Sequence, residues 1–216
     1  MNTKDLSVTP SSPESMETLN GVAELNGNGR PKEKLNGLPP QVLVEAPRAA
    51  RREASITELS GLQPVVARRA IHIATERLFH VTDVTEDCQE LVAESGVKEG
   101  MLSVFSQHTT CAIKINERET CFLEDLRLFM EALVPQEAYY RHDDFEIRDH
   151  ATLAGTVEEE PINGHAHIKQ MLLGSASESV PVADGTLRLG TWQRIMFIEL
   201  DQARNRKVQL QVQGWR

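Results

Sequence analysis

The stretch Ser106-Gln107-His108-Thr109-Thr110-Cys111-Ala112-Ile113-Lys114-Ile115-Asn116-Glu117 places polar and titratable residues between two short apolar runs. The first apolar run contains Leu102, Val104 and Phe105, and the second contains Cys111, Ile113 and Ile115. In both runs apolar residues alternate with other residues. Such alternation predicts two strands joined by a turn. A histidine and two hydroxyls at this turn favour a site over a core, because imidazole ligates metals or exchanges protons and hydroxyls bind oxyanions.

Regular patterns continue on both sides of this strand pair. Helices are predicted over 85–93, ended by Gly96, over 119–133, and over 164–173, capped by Asn163 and stopped by Gly174. In the second helix one face carries Phe122, Leu126, Phe129 and Leu133. Further strands are predicted over 70–75, 179–182, 186–189 and 192–200 and around 208–212, and the polar stretch 136–160 predicts a long loop. Hairpins with two or three helices indicate an α+β domain, and the lack of βαβ alternation argues against a dinucleotide fold.

Composition divides the chain into a tail and a domain. Residues 1–62 are rich in Ser, Pro, Asn and Gly, and the first aromatic residue of the chain is Phe79. Such a segment buries too little apolar surface to offset its conformational entropy. We therefore expect a disordered tail over 1–62 and one folded domain over 63–216.

Charge and cysteine content exclude several classes of protein. The net charge of −9 argues against a general nucleic-acid surface. No apolar run approaches the ~20 residues of a membrane span, and the N-terminus lacks the apolar core of a signal peptide. Three cysteines without a CxxC motif favour a reducing compartment. We expect a cytoplasmic protein with neither a nucleic-acid nor a membrane partner.

Three of the seven histidines lie in distinctive local sequence: His108, His142 and His167. A three-histidine site with one open position is the usual arrangement of catalytic zinc. The separations of 34 and 25 residues are not short-range metal spacings, so each histidine can equally be an ordinary hydrogen-bonded residue. His165 and His167 point to different helix faces, so only one of them is expected to face a site, and His165 shares its face with Lys169.

Four other residues have a functional and an ordinary interpretation. Glu117 is a candidate base or ligand, or an exposed turn carboxylate, and Asn116 can orient a neighbour or simply occupy a turn. Trp192 can form the wall of a pocket for a planar ring, or pack in the core. Arg194 can bind phosphate with two hydrogen bonds, or be a solvated strand residue.

Several ordered blocks share one further property, which is a resemblance to a known family. They are Gln107-His108-Thr109-Thr110, Ile115-Asn116-Glu117, Tyr139-Tyr140 with His142, Ala166-His167-Ile168-Lys169, and Leu189-Gly190-Thr191-Trp192-Gln193, followed by Arg204 and Arg206. Over about 67–214 the chain resembles the YjbQ family, which is named for a secondary thiamine-phosphate synthase activity. The tail lies outside the resemblance.

The resemblance implies an α+β domain in which antiparallel sheets pack as a sandwich with two or three helices, assembled as a homotrimer. It also implies a histidine-lined cleft in which His108, His142 and His167 hold a divalent metal ion, zinc or magnesium/manganese. The polar residues expected nearby are Thr109, Thr110, Asn116, Glu117 and Gln193. His165 stands where the family often has another residue, so it is left outside the site.

The resulting hypothesis is a thiamine-phosphate synthase-like enzyme that couples a pyrimidine diphosphate to a thiazole phosphate. The candidate catalytic residues are His108, Glu117 and Asn116, and the candidate substrate-binding residues are Thr109, Thr110, Trp192, Gln193 and Arg194. Two alternatives remain open: a metal-dependent hydrolase of a phosphorylated small molecule, and a non-enzymatic trimeric protein that binds a metabolite or a metal. All three imply a small phosphorylated or anionic metabolite, or a metal, as the partner.

Overall fold

The computed structural model describes residues 59–216, so the predicted tail lies outside the described residues as far as residue 58. The strands are β1 (Pro64–Ala74), β2 (Val81–Asp83), β3 (Glu99–Ser106), β4 (Cys111–Glu117), β5 (Ser177–Ala183), β6 (Thr186–Leu187), β7 (Gln193–Glu199) and β8 (Asn205–Trp215). The helices are α1 (Thr85–Ser95), α2 (Thr120–Leu133) and α3 (Gly164–Leu173). Short 3₁₀ turns at Arg141–Asp143, His150–Thr152 and Val157–Glu159 interrupt the long connection between α2 and α3. Within 59–216, no helix is both long and apolar enough to cross a membrane.

Two antiparallel sheets form the domain, which confirms the α+β prediction. One sheet has five strands in the order β1-β8-β3-β5-β6, and the other has three in the order β2-β7-β4. Side chains from both sheets and from α1 form one buried cluster, which includes Leu91, Val104, Ile113, Phe197 and Leu210. Burial of each such side chain stabilises the fold by about 1.5–3 kcal/mol, so this cluster fixes how the strands that carry the site are placed.

The helix stop signals act as predicted, but one start signal acts only in part. Gly96 and Gly174 both adopt the left-handed conformation that ends a helix. Asn163 precedes α3, yet its side chain makes no capping bond and instead donates to Asp201 Oδ2 at 3.1 Å. The carboxylate of Asp143 caps α3, accepting the amides of Asn163 and Gly164 at 3.0 and 2.9 Å. Asn163 is therefore the N-cap residue of α3, as predicted, but its side chain does not make the capping bond, because a carboxylate from a distant turn accepts these amides.

The apolar stripe predicted on α2 is only partly covered. Leu126 and Met130 pack in a second core cluster with Ala112, Ala166 and Leu200 from other elements. Phe129 and Leu133 lie beside this contact and remain 59% and 56% exposed. On α3, Met171 is 77% exposed. The chain therefore leaves apolar surface open on both helices.

Candidate functional site

A cleft of about 370 Å³ lies between the end of β3 and one face of α3. His108 and Thr109 line it from the turn after β3, and His167 and Met171 line it from α3. The fold therefore brings together two histidines that are far apart in the sequence. The volume is within the range of small-molecule sites, about 300–1,000 Å³.

His142 lies next to this cleft, against His167. The centroids of the two imidazole rings are 4.6 Å apart, and the planes meet edge to face at 61°. His142 belongs to the 3₁₀ turn Arg141–Asp143, and the Asp143 cap ties this turn to the N-terminus of α3. His108 and His167 thus line the cleft, and His142 lies beside it against His167.

His108 is held through one ring nitrogen. Its Nε2 accepts a hydrogen bond of 3.0 Å from the backbone amide of Lys207. A nitrogen that accepts carries no proton, so the neutral ring is protonated at Nδ1, which remains a donor. Burial lowers the pKa of His108, the positive charge of Arg206 lowers it further, and Glu199 partly opposes them. The ring is therefore neutral at pH 7.

His167 is also neutral at pH 7. Burial lowers its pKa, the neighbouring His142 and Arg148 add to the effect, and Asp201 and Asp143 oppose it. A neutral imidazole can accept a proton or ligate a metal. His167 is therefore a potential base or metal ligand at the surface of the cleft.

The two histidines of α3 do face different sides, as the helical spacing predicts. His165 is buried, and its Nδ1 lies 3.4 Å from the Nζ of Lys169, which is also buried. His167 shares the cleft with Met171. This confirms that only one of the pair faces the cleft.

A buried polar network behind the cleft was not expected from the sequence. Glu199 binds Arg206 through both carboxylate oxygens, with Arg206 Nε at 2.5 Å and Nη2 at 2.7 Å. The same Nη2 donates to Thr110 Oγ1 at 3.2 Å, and the amide of Asp201 donates to Glu199 at 3.0 Å. The Thr110 hydroxyl, predicted to bind substrate, is thus buried in this network, whereas Thr109 lines the cleft.

The remaining predicted site residues lie at the opposite end of the β4–β7 pair. Cys111 pairs with Glu199 at the cleft end, whereas Asn116 pairs with Arg194, and Glu117 with Gln193, at the other end. At about 3.3 Å per residue, the two ends of β4 are about 20 Å apart. Within one chain, the structure does not bring these four residues to the histidine cleft.

Side chains at that distant end already have local partners. Arg194 is paired with Asp83 at 2.7 Å and also with Glu86, so a phosphate would have to displace carboxylates. Asn116 Oδ1 accepts the amide of Glu117, and Gln193 Oε1 accepts the amide of Gly190, both at 2.8 Å.

Trp192, in the turn before β7, is 72% exposed. Its alternative interpretation as a core residue is therefore wrong, because the indole lies outside the packed interior. It is placed near the distant end of the β4–β7 pair, beside Gln193.

The three histidines do not form a ready metal site in the described part of the chain. Among residues 59–216, no group of three His, Cys, Asp or Glu side chains is arranged to hold a metal ion. The nearby groups have other partners: His108 Nε2 accepts from Lys207, Asp143 caps α3, and Glu199 binds Arg206. The three-histidine metal centre stays a prediction.

Residues 69–215 match the model of the family described as UPF0047 protein YjbQ-like. A UPF0047 protein of Methanothermobacter thermautotrophicus is 36% identical over 71% of this chain and 96% of its own length. The UPF0047 protein YugU of Bacillus subtilis is 30% identical over 68% of this chain and 98% of its own length.

Solved structures give the same picture. A YbjQ-like protein of unknown function from Sulfolobus solfataricus superposes with a TM-score of 0.61 at 29% identity, covering 70% of this chain and 99% of its own. An uncharacterised protein of the yjbq/upf0047 family from Clostridium acetobutylicum gives a TM-score of 0.56 at 32% identity, covering 67% and 98%. These likenesses support the same two-sheet fold.

Proposed function

The chain belongs to the UPF0047 family of YjbQ-like proteins, and we propose that its histidine cleft acts on a phosphorylated small molecule as a thiamine-phosphate synthase-like transferase. One observation supports the proposal: His108, Thr109 and His167 line the same cleft. A small concave site with neutral imidazoles and a hydroxyl suits a phosphorylated metabolite.

The proposed reaction couples a pyrimidine diphosphate to a thiazole phosphate and releases diphosphate. Negative charge builds up on the leaving diphosphate, so donors that are already in place lower the barrier. His108 Nδ1–H and the Thr109 hydroxyl supply such donors at the cleft. The thiazole nitrogen forms the new C–N bond as the C–O bond to diphosphate breaks, so no proton has to be removed. His167, with His142 beside it, is a further imidazole that can contact the substrate.

A divalent metal ion, zinc or magnesium/manganese, remains part of the proposal as a prediction for His108, His142 and His167. If bound, it would neutralise phosphate charge. No step is assigned to it, because the described residues do not present a three-ligand set. Metal analysis of the purified protein tests this prediction: about one ion per chain, lost in His142→Ala, supports it, and a metal-free active protein contradicts it.

The activity is tested by incubating the full chain with both substrates and measuring thiamine phosphate. His108→Ala should abolish product, whereas His72→Ala, an exposed histidine on β1, should not. Phosphate release from either substrate alone would instead indicate the hydrolase, and binding without turnover would indicate a non-enzymatic protein. Product formed equally by wild type and His108→Ala would contradict the proposed role of the cleft.

We also propose that the chain assembles as a homotrimer through its open helix surfaces. Contiguous exposed apolar side chains mark association sites. Phe129 and Leu133 are four residues apart on α2 and both are exposed, and Met171 is exposed on α3. The double variant Phe129→Ser/Leu133→Ser should lower the molar mass measured by sedimentation. Ile147→Ser removes an exposed apolar side chain from the loop and should not. A monomeric wild type, or a trimer indifferent to the double variant, would contradict this surface.

A cytoplasmic location completes the proposal. Cys88, Cys111 and Cys121 are free thiols, and burial raises the pKa of Cys88 and Cys111 to about 12. Such thiols stay protonated and suit a reducing compartment. Cell fractionation with an antibody to the chain tests the location, and recovery in a secreted fraction would contradict it.

A further inference from the structure

We infer that a continuous network of buried hydrogen bonds, made by polar side chains and the backbone amide of Asp201, fixes the spacing between the two walls of the histidine cleft, with Arg206 and Asn163 as its positioning residues. The inference rests on the proposed function, since it concerns how the same cleft is held. It assigns a role to residues that touch neither the cleft nor a substrate.

One part of this hydrogen-bond network holds the wall that carries His108. The guanidinium of Arg206 spans from Glu199 to the hydroxyl of Thr110, two residues after His108. The next residue after Arg206, Lys207, donates its amide to His108 Nε2 at 3.0 Å. Arg206 therefore fixes the turn through its side chain and places the amide that orients the imidazole.

The other part of the network holds the wall that carries His167. The amide of Asp201 donates to Glu199 Oε1 at 3.0 Å, and Asp201 Oδ2 accepts from Asn163 Nδ2 at 3.1 Å. Asn163 immediately precedes α3, which carries His167 one turn later. Displacement of Asn163 would therefore move the helix that forms the opposite wall.

The cost of burying these groups supports a positioning role. The five residues of the hydrogen-bond network are all buried: Thr110, Asn163, Glu199, Asp201 and Arg206. Replacing a buried ion pair with apolar residues is often neutral or stabilising, so such a pair is weak evidence for stability alone. Among the described residues, Asn163 Oδ1 is buried without a hydrogen-bond partner. The bonds that are made, from Arg206 to Glu199 and Thr110 and from Asn163 to Asp201, still restrict the side chains they join.

Two variants interrupt the hydrogen-bond network at different points. Arg206→Lys keeps the positive charge opposite Glu199 but loses the planar fork that also reaches Thr110. Asn163→Ala removes the bond to Asp201 and leaves the backbone amide that Asp143 accepts. Asp83→Asn is the control, because Asp83 pairs with Arg194 at the opposite end of β7.

Two measurements on the full chain at one fixed pH test the inference: the ring NMR signals of His108 and His167, and the affinity for inorganic phosphate. Arg206→Lys should shift the His108 signals and Asn163→Ala the His167 signals. Both should weaken phosphate binding about tenfold, as is typical when groups that orient ligating residues are lost. Asp83→Asn should lower stability while leaving both readouts unchanged.

The outcomes separate this inference from the proposed function. If wild type binds no phosphate, the proposed function is contradicted, whereas the ring signals still decide the inference. Another outcome is that Arg206→Lys and Asn163→Ala lower the melting temperature as Asp83→Asn does, yet leave the ring signals in place. In that case the hydrogen-bond network is merely structural and the inference is overturned. Shifts of both rings in all three variants would also overturn it.

Discussion

The two ends of the β4–β7 pair carry similar polar residues in opposite surroundings. At the Cys111–Glu199 end, the carboxylate and its arginine are buried, and the His108–Thr110 turn lies beside the histidine cleft. At the Glu117–Gln193 end, the polar side chains are exposed and bond to near neighbours. The same strand register thus produces a concave site at one end and a solvated ion-pair surface at the other.

The difference shows that burial, rather than residue type, separates the two ends. Both contain an arginine paired with carboxylates: Arg206 with Glu199, and Arg194 with Asp83 and Glu86. The side chains of Arg206 and Glu199 are both buried, so each depends on the other. At the distant end the Asp83 side chain is buried, but those of Arg194 and Glu86 are 33% and 66% exposed. Substitutions should therefore have unequal effects at the two ends.

The largest difference is expected from truncating the two arginines. Arg206→Ala leaves the buried Glu199 carboxylate without its counter-charge, which should destabilise the fold by about 3–5 kcal/mol. Arg194→Ala should cost about 1 kcal/mol, because its carboxylates reach water or Arg118. Urea unfolding measures both values. Equal losses would show that burial does not distinguish the ends.

The distant end should have a strong acid dependence through Asp83. Burial favours a higher pKa, but hydrogen bonds from Arg194, Thr85 and Arg118 outweigh it and hold the pKa of Asp83 at about 2. A depressed carboxyl pKa stabilises the fold above the unfolded value near 3.8, here by about 2 kcal/mol, and this is lost as the pH falls to about 2. The stability difference between wild type and Asp83→Asn should vanish across that window. A difference independent of pH would contradict the assignment.

The cleft end should lose stability in a less acidic window. The pKa values of His108 and His167 are lowered, so the unfolded chain binds their protons first as the pH falls below 6.5. Stability from these rings is present above 6.5 and is lost below it, towards the folded pKa values. The double variant His108→Asn/His167→Asn should have a flatter profile there in pH-dependent unfolding. An identical profile would mean that burial does not keep these rings neutral.

The smallest effect is expected from Glu117. Since Glu117 lies about 20 Å along β4 from the cleft end, Glu117→Ala should leave phosphate affinity and the His108 signals unchanged. Calorimetric titration with phosphate and ring NMR measure this, and His108→Ala is the positive control. A loss of affinity in a trimeric Glu117→Ala protein would mean that one subunit supplies Glu117 to the cleft of another.

Much of the fold could be predicted because its signals are local. Alternation predicted β3, β4 and β8, and the glycines after α1 and α3 predicted both helix ends, since backbone preference acts over a few residues. The N-cap position of α3 was predicted, but the group that accepts its free amides was not, because Asp143 reaches them across 20 residues of sequence. The apolar stripe of α2 was predicted, but its exposure was not, since helical periodicity shows which residues share a face but not what covers that face.

The candidate site was predictable in its histidines but not in its support. His108, His142 and His167 stood out in the sequence, and the structure places His108 and His167 in one cleft with His142 against His167. Glu199 was not singled out, and Arg206 was named only among the motif blocks of the resemblance, with no role, because a carboxylate and an arginine at the ends of consecutive strands are common surface residues. Only their burial gives them a role.

By itself, the sequence determined the α+β class and most element boundaries, because these depend on short-range periodicity. Its ordered motif blocks determined the family and singled out the three histidines. Only the tertiary structure decided which polar residues share a cleft. It joined His108 to His167, buried Thr110 behind them, and left Asn116, Glu117, Gln193 and Arg194 at the other end of the same strands. Proximity and burial arise from long-range packing, which no local pattern in the chain encodes.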